Sequence, residues 1–290
     1  MFHVYQSNRI YHSRHILLLL VLLLGLTASA CTTRHGSTMP EPLPLPAPQT
    51  EGEAAQIWER FLFRAGSAEV MTGPFRISAT LRYTDKEGKN TRVSSLLWGN
   101  GHADSPYPLR LDLLAGVGTV VAKAREDAAS FTVFSPDEKT AWVHEGGART
   151  LASFGVPVPL SLSDLTMLLT GRSGLLFIPP LMYGNIPYMY ALTENGARYT
   201  VPDARLPGII ELSESGAPLF WQDLSPDGWS IEFEPDTVNP LLPLRLRISH
   251  PKGYSALIVV REIARVSPPY TTAQMGLPLP AGTRRALLEQ

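Results

Sequence analysis

The chain has 290 residues, a formal net charge of −1, 44% hydrophobic residues and one cysteine. A near-neutral chain lacks the basic footprint that nucleic-acid binding requires. A lone cysteine excludes a disulfide framework, so a hydrophobic core has to hold the fold together.

Residues 1–15 carry Arg9 and Arg14 and no acid, and Ile16 to Leu26 is almost wholly apolar. Ala28-Ser29-Ala30 then precedes Cys31. This is the order of a secretory signal peptide over residues 1–30, and the apolar run is short for a membrane span. Two processing readings fit. The A-x-A pattern suits ordinary signal peptidase, whereas a cysteine directly after small residues resembles a bacterial lipobox, whose thiol is acylated. The second reading also explains an otherwise unpaired thiol in an oxidising compartment. It implies diacylglycerol and an N-acyl chain on Cys31, and no other cofactor. One chain anchors weakly, at about 0.8 kcal/mol per buried CH₂, whereas several chains on one residue hold durably. By resemblance to Gram-negative sorting rules, Thr32 after the cysteine directs the protein to the outer membrane.

Cleavage would remove Arg9 and Arg14 and no acid, leaving 23 basic residues against 26 acidic. Residues 31–50 hold Pro40, Pro42, Pro44, Pro46 and Pro48. Alternating prolines keep a chain extended, so this reads as a tether.

Glu51 to Ala65 reads as an amphipathic helix, with Ala54, Ile57, Trp58, Phe61 and Leu62 at helical spacing and Gly66 as the stop. The period then changes to two. Phe75, Ile77, Ala79, Leu81 and Tyr83 alternate with polar residues, and Thr91 to Asn100 follows the turn Asp85–Asn90 as a second strand.

Next comes Leu109 to Lys123, two strand-like runs around Gly116-Val117-Gly118. Leu109, Leu111, Leu113 and Ala115 share one side, and Arg110 and Asp112 the other. The glycines predict a tight reversal with Val117 at its tip. Turn tips favour polar residues. Val117 therefore either folds back onto the core or reaches out toward lipid or a partner. Strands are expected at Ser130–Ser135 and Thr140–His144.

Pro157 to Gly184 breaks the pattern. It holds a helical run ending at Gly171, with Ser161 or Ser163 as cap, and then Pro179-Pro180 within an apolar stretch. This reads as an insertion packed over the sheet. Seven further short strands follow between Tyr188 and Glu262, separated by turns such as Glu194-Asn195-Gly196 and Pro251-Lys252-Gly253. Many short strands at such spacing argue a barrel or sandwich over residues 51–266. The proline-rich residues 267–290 read as a loose tail.

The order of these features resembles the LolB family, the lipoprotein acceptor of the Gram-negative outer membrane. The likeness spans about residues 51 to 264. It rests on the first helix, Leu97-Trp98, Leu109 to Gly118, Pro157 to Gly171, Trp229 to Phe233, and Leu242 to Leu246. It implies a mainly β fold, an open, unclosed antiparallel β-barrel with an N-terminal helix and a helical lid over an apolar cavity. It implies lipoprotein acyl chains and outer-membrane lipid as partners, cargo received from a periplasmic lipoprotein carrier, and a monomer. Val117 falls where the family carries a protruding apolar residue, usually leucine. Trp98, Phe131, Trp142, Ile231, Phe233 and Leu246 are the candidate cavity lining.

Signals for an enzyme are missing. Gly171-Arg172-Ser173-Gly174 lacks the spacing of a nucleophile elbow, His144-Glu145 lacks a second histidine for a zinc helix, and His102 and Asp104 fall in a loop. A second reading is a structural or assembly lipoprotein that holds an envelope partner through a sheet edge or through Pro179-Pro180.

Overall fold

A computed structural model describes residues 48–65, 72–101, 108–147, 149–179, 187, 189–225, 227–239 and 242–287, without the side chains of 48–51. The expected signal peptide, Cys31, most of the expected tether, His102, Asp104, and Pro180 with the end of the expected insertion lie outside the described residues.

The chain opens on helix α1 (Pro48–Ala65). Ala54, Ile57, Trp58 and Phe61 recur at three- and four-residue steps and are buried, which fixes the face the helix presents. Among the described residues fourteen strands follow: β1 (Phe75–Thr84), β2 (Asn90–Gly99), β3 (Leu109–Ala115), β4 (Thr119–Glu126), β5 (Ser130–Ser135) and β6 (Thr140–Glu145), then β7 (Tyr190–Thr193), β8 (Gly196–Val201), β9 (Gly208–Ser213), β10 (Pro218–Gln222), β11 (Ser230–Pro235), β12 (Pro243–Ser249), β13 (Ser255–Arg265) and β14 (Arg284–Leu287). They form one sheet in the order β14-β6-β5-β4-β3-β2-β1-β13-β12-β11-β10-β9-β8-β7.

Two antiparallel meanders meet where β1 pairs with β13, and β14 joins β6 in parallel. The edge strands β14 and β7 do not pair with each other, so the sheet stays open. The fold is mainly β, an open barrel-like sheet with helices against its core face.

The chain crosses from β6 to β7 through a 3₁₀ turn (Leu151–Phe154), helix α2 (Leu162–Leu169) and helix α3 (Gly174–Phe177). Together with α1, these cover the side chains that alternate inward from the sheet. The other face carries the polar partners, including the cross-strand pairs Arg198–Glu211, Arg245–Glu234 and Arg247–Glu232. Among the described residues no helix is long and apolar enough to cross a membrane.

The C-terminal tail is a correction. Residues 267–290 were expected to be loose, yet most of them are held. Asn100 Nδ2 donates to the Tyr270 carbonyl at 2.8 Å, and the Tyr270 amide donates back to Asn100 Oδ1 at 2.8 Å. Helix α4 (Thr272–Met275) has a Thr271–Gln274 capping box, and Met275 is buried. Arg110, on the outer face, donates to the Gly276 carbonyl, and β14 then extends the sheet. A proline-rich composition describes local stiffness. It says nothing of an edge strand already waiting to be paired.

Candidate functional site

The inner face of β1–β3 and the underside of the lid enclose an apolar hollow. Its floor is Ile77, Ala79 and Leu81 of β1, Leu97 of β2, and Leu111 and Leu113 of β3, with Ile258 of β13 beside them. Its roof is Leu165 and Leu169 of α2, with Leu151, Val156 and Val158. Ser95 is the sole polar residue in this lining, and its hydroxyl is spent on the Ala79 carbonyl at 3.2 Å.

The free volume is about 40 Å³. Ligand pockets usually run to about 300–1,000 Å³. The hollow is therefore nearly filled by its own side chains in this structure. That space is too small for an acyl chain as it stands, and its lining is almost wholly apolar.

The roof is pinned at the start of α2. Ser161 Oγ accepts the Asp164 amide at 3.1 Å, and the Asp164 carboxylate accepts the Ser161 amide at 3.2 Å, a capping box. The carboxylate of Glu126, at the end of β4, accepts the amides of Leu162 at 2.8 Å and Ser163 at 3.2 Å and is fully buried. Those are first-turn N–H groups with no partner inside the helix, and a carboxylate there also complements the helix dipole. Arg205, from the loop between β8 and β9, adds a 2.9 Å pair to Asp164. Beyond α2, Gly174 lets the lid approach α1: a Cβ at that position would lie 2.3 Å from the Ala65 Cβ.

Val117 reaches out. Gly116 (φ 53°) and Gly118 (φ 99°) adopt left-handed backbone that favours glycine, which closes the β3–β4 hairpin in three residues. The Val117 side chain is fully exposed at the tip.

The expected cavity lining is corrected as a set, because none of the six residues borders the hollow. Leu97 faces inward, so Trp98 faces out, where the Arg110 guanidinium lies 5.6 Å from its ring centroid. Phe131 is buried against Phe154, two strands away on β5. Trp142 on β6 is half-buried opposite Val133. Ile231 and Leu246 are fully buried core, with Leu246 opposite Ile258 one strand beyond the lining. Phe233 meets Phe177 of α3 edge-on, with centroids 6.3 Å apart. Sequence reasoning missed Leu97 because Leu96-Leu97-Trp98 is apolar on both parities. The signal lay in β1: its inward set Ile77, Ala79 and Leu81 pairs with Leu97, Ser95 and Val93 through the β1–β2 turn.

Titration is displaced away from the hollow. Burial pushes the Tyr199 hydroxyl well up, against the pull of Arg60 and with help from Tyr190, and its O–H donates to the Ala54 carbonyl of α1 at 2.7 Å. At Asp127 partial burial pushes the carboxyl up, but the amides of Ala129 and Ser130 and the charge of Arg125 outweigh it, and the net shift is downward. Among the described residues no group of three or more histidines, cysteines or acids is placed to hold a metal ion.

No protein-family model and no curated protein sequence matches the chain. Solved structures do align with it. A LolA-superfamily protein of Nitrosomonas europaea covers 74% of this chain and 94% of its own, at 10% identity and a TM-score of 0.46. A domain named as an outer membrane lipoprotein-sorting protein, from Vibrio parahaemolyticus, covers 77% and 96% at 8% identity and 0.46. A DUF1329 family protein from Desulfovibrio piger covers 78% and 96% at 10% identity and 0.46. Likenesses at these scores assign the chain neither a family nor a function.

Proposed function

We propose that this protein is a lipid-anchored carrier of the outer membrane, which takes the acyl chains of lipoproteins between its sheet and its lid and delivers them at the bilayer. The observation that carries the reading is the hollow itself, apolar in every lining residue but Ser95 and roofed by α2 and the turn before it. The LolB-like order of motifs supports the finer assignment, an acceptor fed by a periplasmic lipoprotein carrier. Cys31 with its diacylglycerol and N-acyl chain is the proposed anchor, residues 31–50 the tether, and Val117 the point that meets the membrane.

Carriage of this kind needs no cofactor and no covalent step. Moving an acyl chain out of water gains about 0.8 kcal/mol per buried CH₂. Opening the lid exposes the apolar residues that now pack on one another, which lowers the net affinity. That opposition suits a carrier, because reclosure of the lid favours release once a bilayer offers an equally apolar destination.

The test is uptake of a fluorescent acyl-chain probe by the unacylated chain carrying Cys31→Ala. Cysteines replacing Leu165 in the lid and Leu113 in the sheet should abolish saturable uptake when oxidised and restore it when reduced. Absence of saturable uptake in the parent chain overturns the reading. A stoichiometric envelope protein captured without lipid uptake would establish the assembly role instead.

A further inference from the structure

The outer face of the sheet carries a second feature at the end where Val117 lies. Arg82 of β1 and Arg92 of β2 are direct cross-strand partners, and both are exposed. Like charges placed opposite each other destabilise a sheet. Among the described residues neither arginine has an ion-pair partner in the structure.

The acids nearby are engaged. Asp85 accepts the amides of Glu87 and Lys89, Glu87 pairs with Lys86, and Glu232 pairs with Arg247. Arg82 is followed across the sheet by Leu257 and then Arg247. The three arginines, with Thr84, Ser249 and Ser255, line an open groove of about 370 Å³. Arg247 is neutralised by Glu232, and the guanidinium forks of Arg82 and Arg92 with the hydroxyls beside them suit a phosphate oxyanion.

Its place in the sheet says where that phosphate comes from. Ser94 of β2 pairs with Leu114 of β3, so two residues further along Arg92 is level with Gly116, next to the exposed tip. An apolar side chain beside unpaired arginines is the pattern of a surface that meets an anionic bilayer. We propose that the Arg82–Arg92 groove binds the phosphate of an anionic phospholipid headgroup while Val117 enters the bilayer beside it. The proposal rests on the reading that this end of the sheet faces the membrane, and it is independent of what the hollow carries.

The experiment is sedimentation of the Cys31→Ala chain with vesicles of phosphatidylcholine alone and of phosphatidylcholine with phosphatidylglycerol. The parent should prefer the anionic vesicles, and salt should weaken the preference. Basic residues near an anionic surface each contribute about fivefold, so Arg82→Gln with Arg92→Gln should cost about 25-fold of that preference. Arg92→Ser alone should cost about fivefold and serves if the double variant folds poorly. Binding to phosphatidylcholine, whose phosphate charge is offset by choline, should change much less, and uptake of the acyl probe should not change in either variant.

A parent with no anionic preference, or a preference kept in the double variant, overturns the proposal. Saturable binding of inorganic phosphate that Arg82→Gln with Arg92→Gln abolishes, in a parent chain with no anionic vesicle preference, would show that the groove takes free phosphate, which overturns the assignment to lipid. Loss of acyl uptake with an intact, arginine-dependent preference would remove the carrier reading and leave this site standing.

Discussion

The carboxylate of Glu126 accepts the amide of Leu162 at 2.8 Å, and no part of Glu126 is exposed. A strand end and a helix start are thereby joined at the first turn of α2. The same carboxylate takes the Ser163 amide. Glu126→Ala leaves both first-turn donors buried without this acceptor, a loss of about 1–3 kcal/mol or more. Glu126→Gln keeps the shape and one acceptor oxygen, so it should cost less. If Glu126 latches the lid, both variants lower the denaturation midpoint while the acyl probe enters faster. A lower midpoint with unchanged uptake kinetics would make Glu126 a purely structural residue.

Leu97 and Trp98 are neighbours on β2 that point to opposite faces, and they separate the hollow from the outer surface. Leu97→Ala should destabilise the fold by about 2–5 kcal/mol, because the residue is buried in the core. It should also alter affinity for the probe, since it enlarges the hollow. Trp98→Ala removes a surface on which Arg110 rests and should leave probe affinity unchanged. Equal effects of the two substitutions on uptake would place the acyl chain somewhere other than this hollow.

That pair shows what the sequence made legible and what it did not. Periodicity located α1, β1 and the strands β8 to β13 to within a few residues, because each buries one face and an alternating or helical stripe records it. Ser161, one of the two expected caps, does cap α2. The glycines around Val117 set the hairpin, but only the structure decided that Val117 points away from the core. Which aromatics meet the hollow was beyond periodicity. A large side chain on the core face marks burial, and the position of the lid across the sheet then selects β1–β3 from fourteen strands. Glu126 was equally hidden, since its partners lie 36 and 37 residues further on.

Val117 is exposed on every side, so its replacement should be felt only where it meets something else. Val117→Ser should leave folding stability within about 0.5 kcal/mol of the parent. It should weaken binding to phosphatidylcholine vesicles by about tenfold, the effect of withdrawing one aliphatic side chain from an apolar phase. Unchanged vesicle binding would remove the tip from the membrane contact.

The docked tail gives a separate expectation. Met275 is buried on a short helix, with Arg110 reaching the next carbonyl from the outer face. Met275→Asp puts an unpaired charge into that contact, whose burial is costly. Residues after Val266 should then become susceptible to limited proteolysis while the rest of the chain stays resistant. Arg110 keeps its 3.1 Å pair with Asp112, so the sheet beneath does not depend on the tail. Collapse of the whole body into fragments would mean that the tail is part of the core's cooperative unit.

Tyr199 fastens α1 to β8 and carries a pH signature. Its hydroxyl donates to the Ala54 carbonyl at 2.7 Å, and burial holds its ionisation far above the ordinary value of 10.0. A group whose affinity for its proton is raised by folding contributes stability below its unfolded pKa and loses it as pH climbs beyond. Unfolded chains ionise Tyr199 above about pH 10, whereas the folded chain keeps the proton, so the parent should lose stability steadily there. Tyr199→Phe forgoes the hydrogen bond and should be less stable at neutral pH by about 0.5–1.5 kcal/mol. The variant also lacks Tyr199's share of the alkaline slope, so the gap between the two proteins should narrow above pH 10 in urea unfolding series. A gap that stays constant across that range would mean that Tyr199 ionises as readily in the folded chain as in the unfolded one.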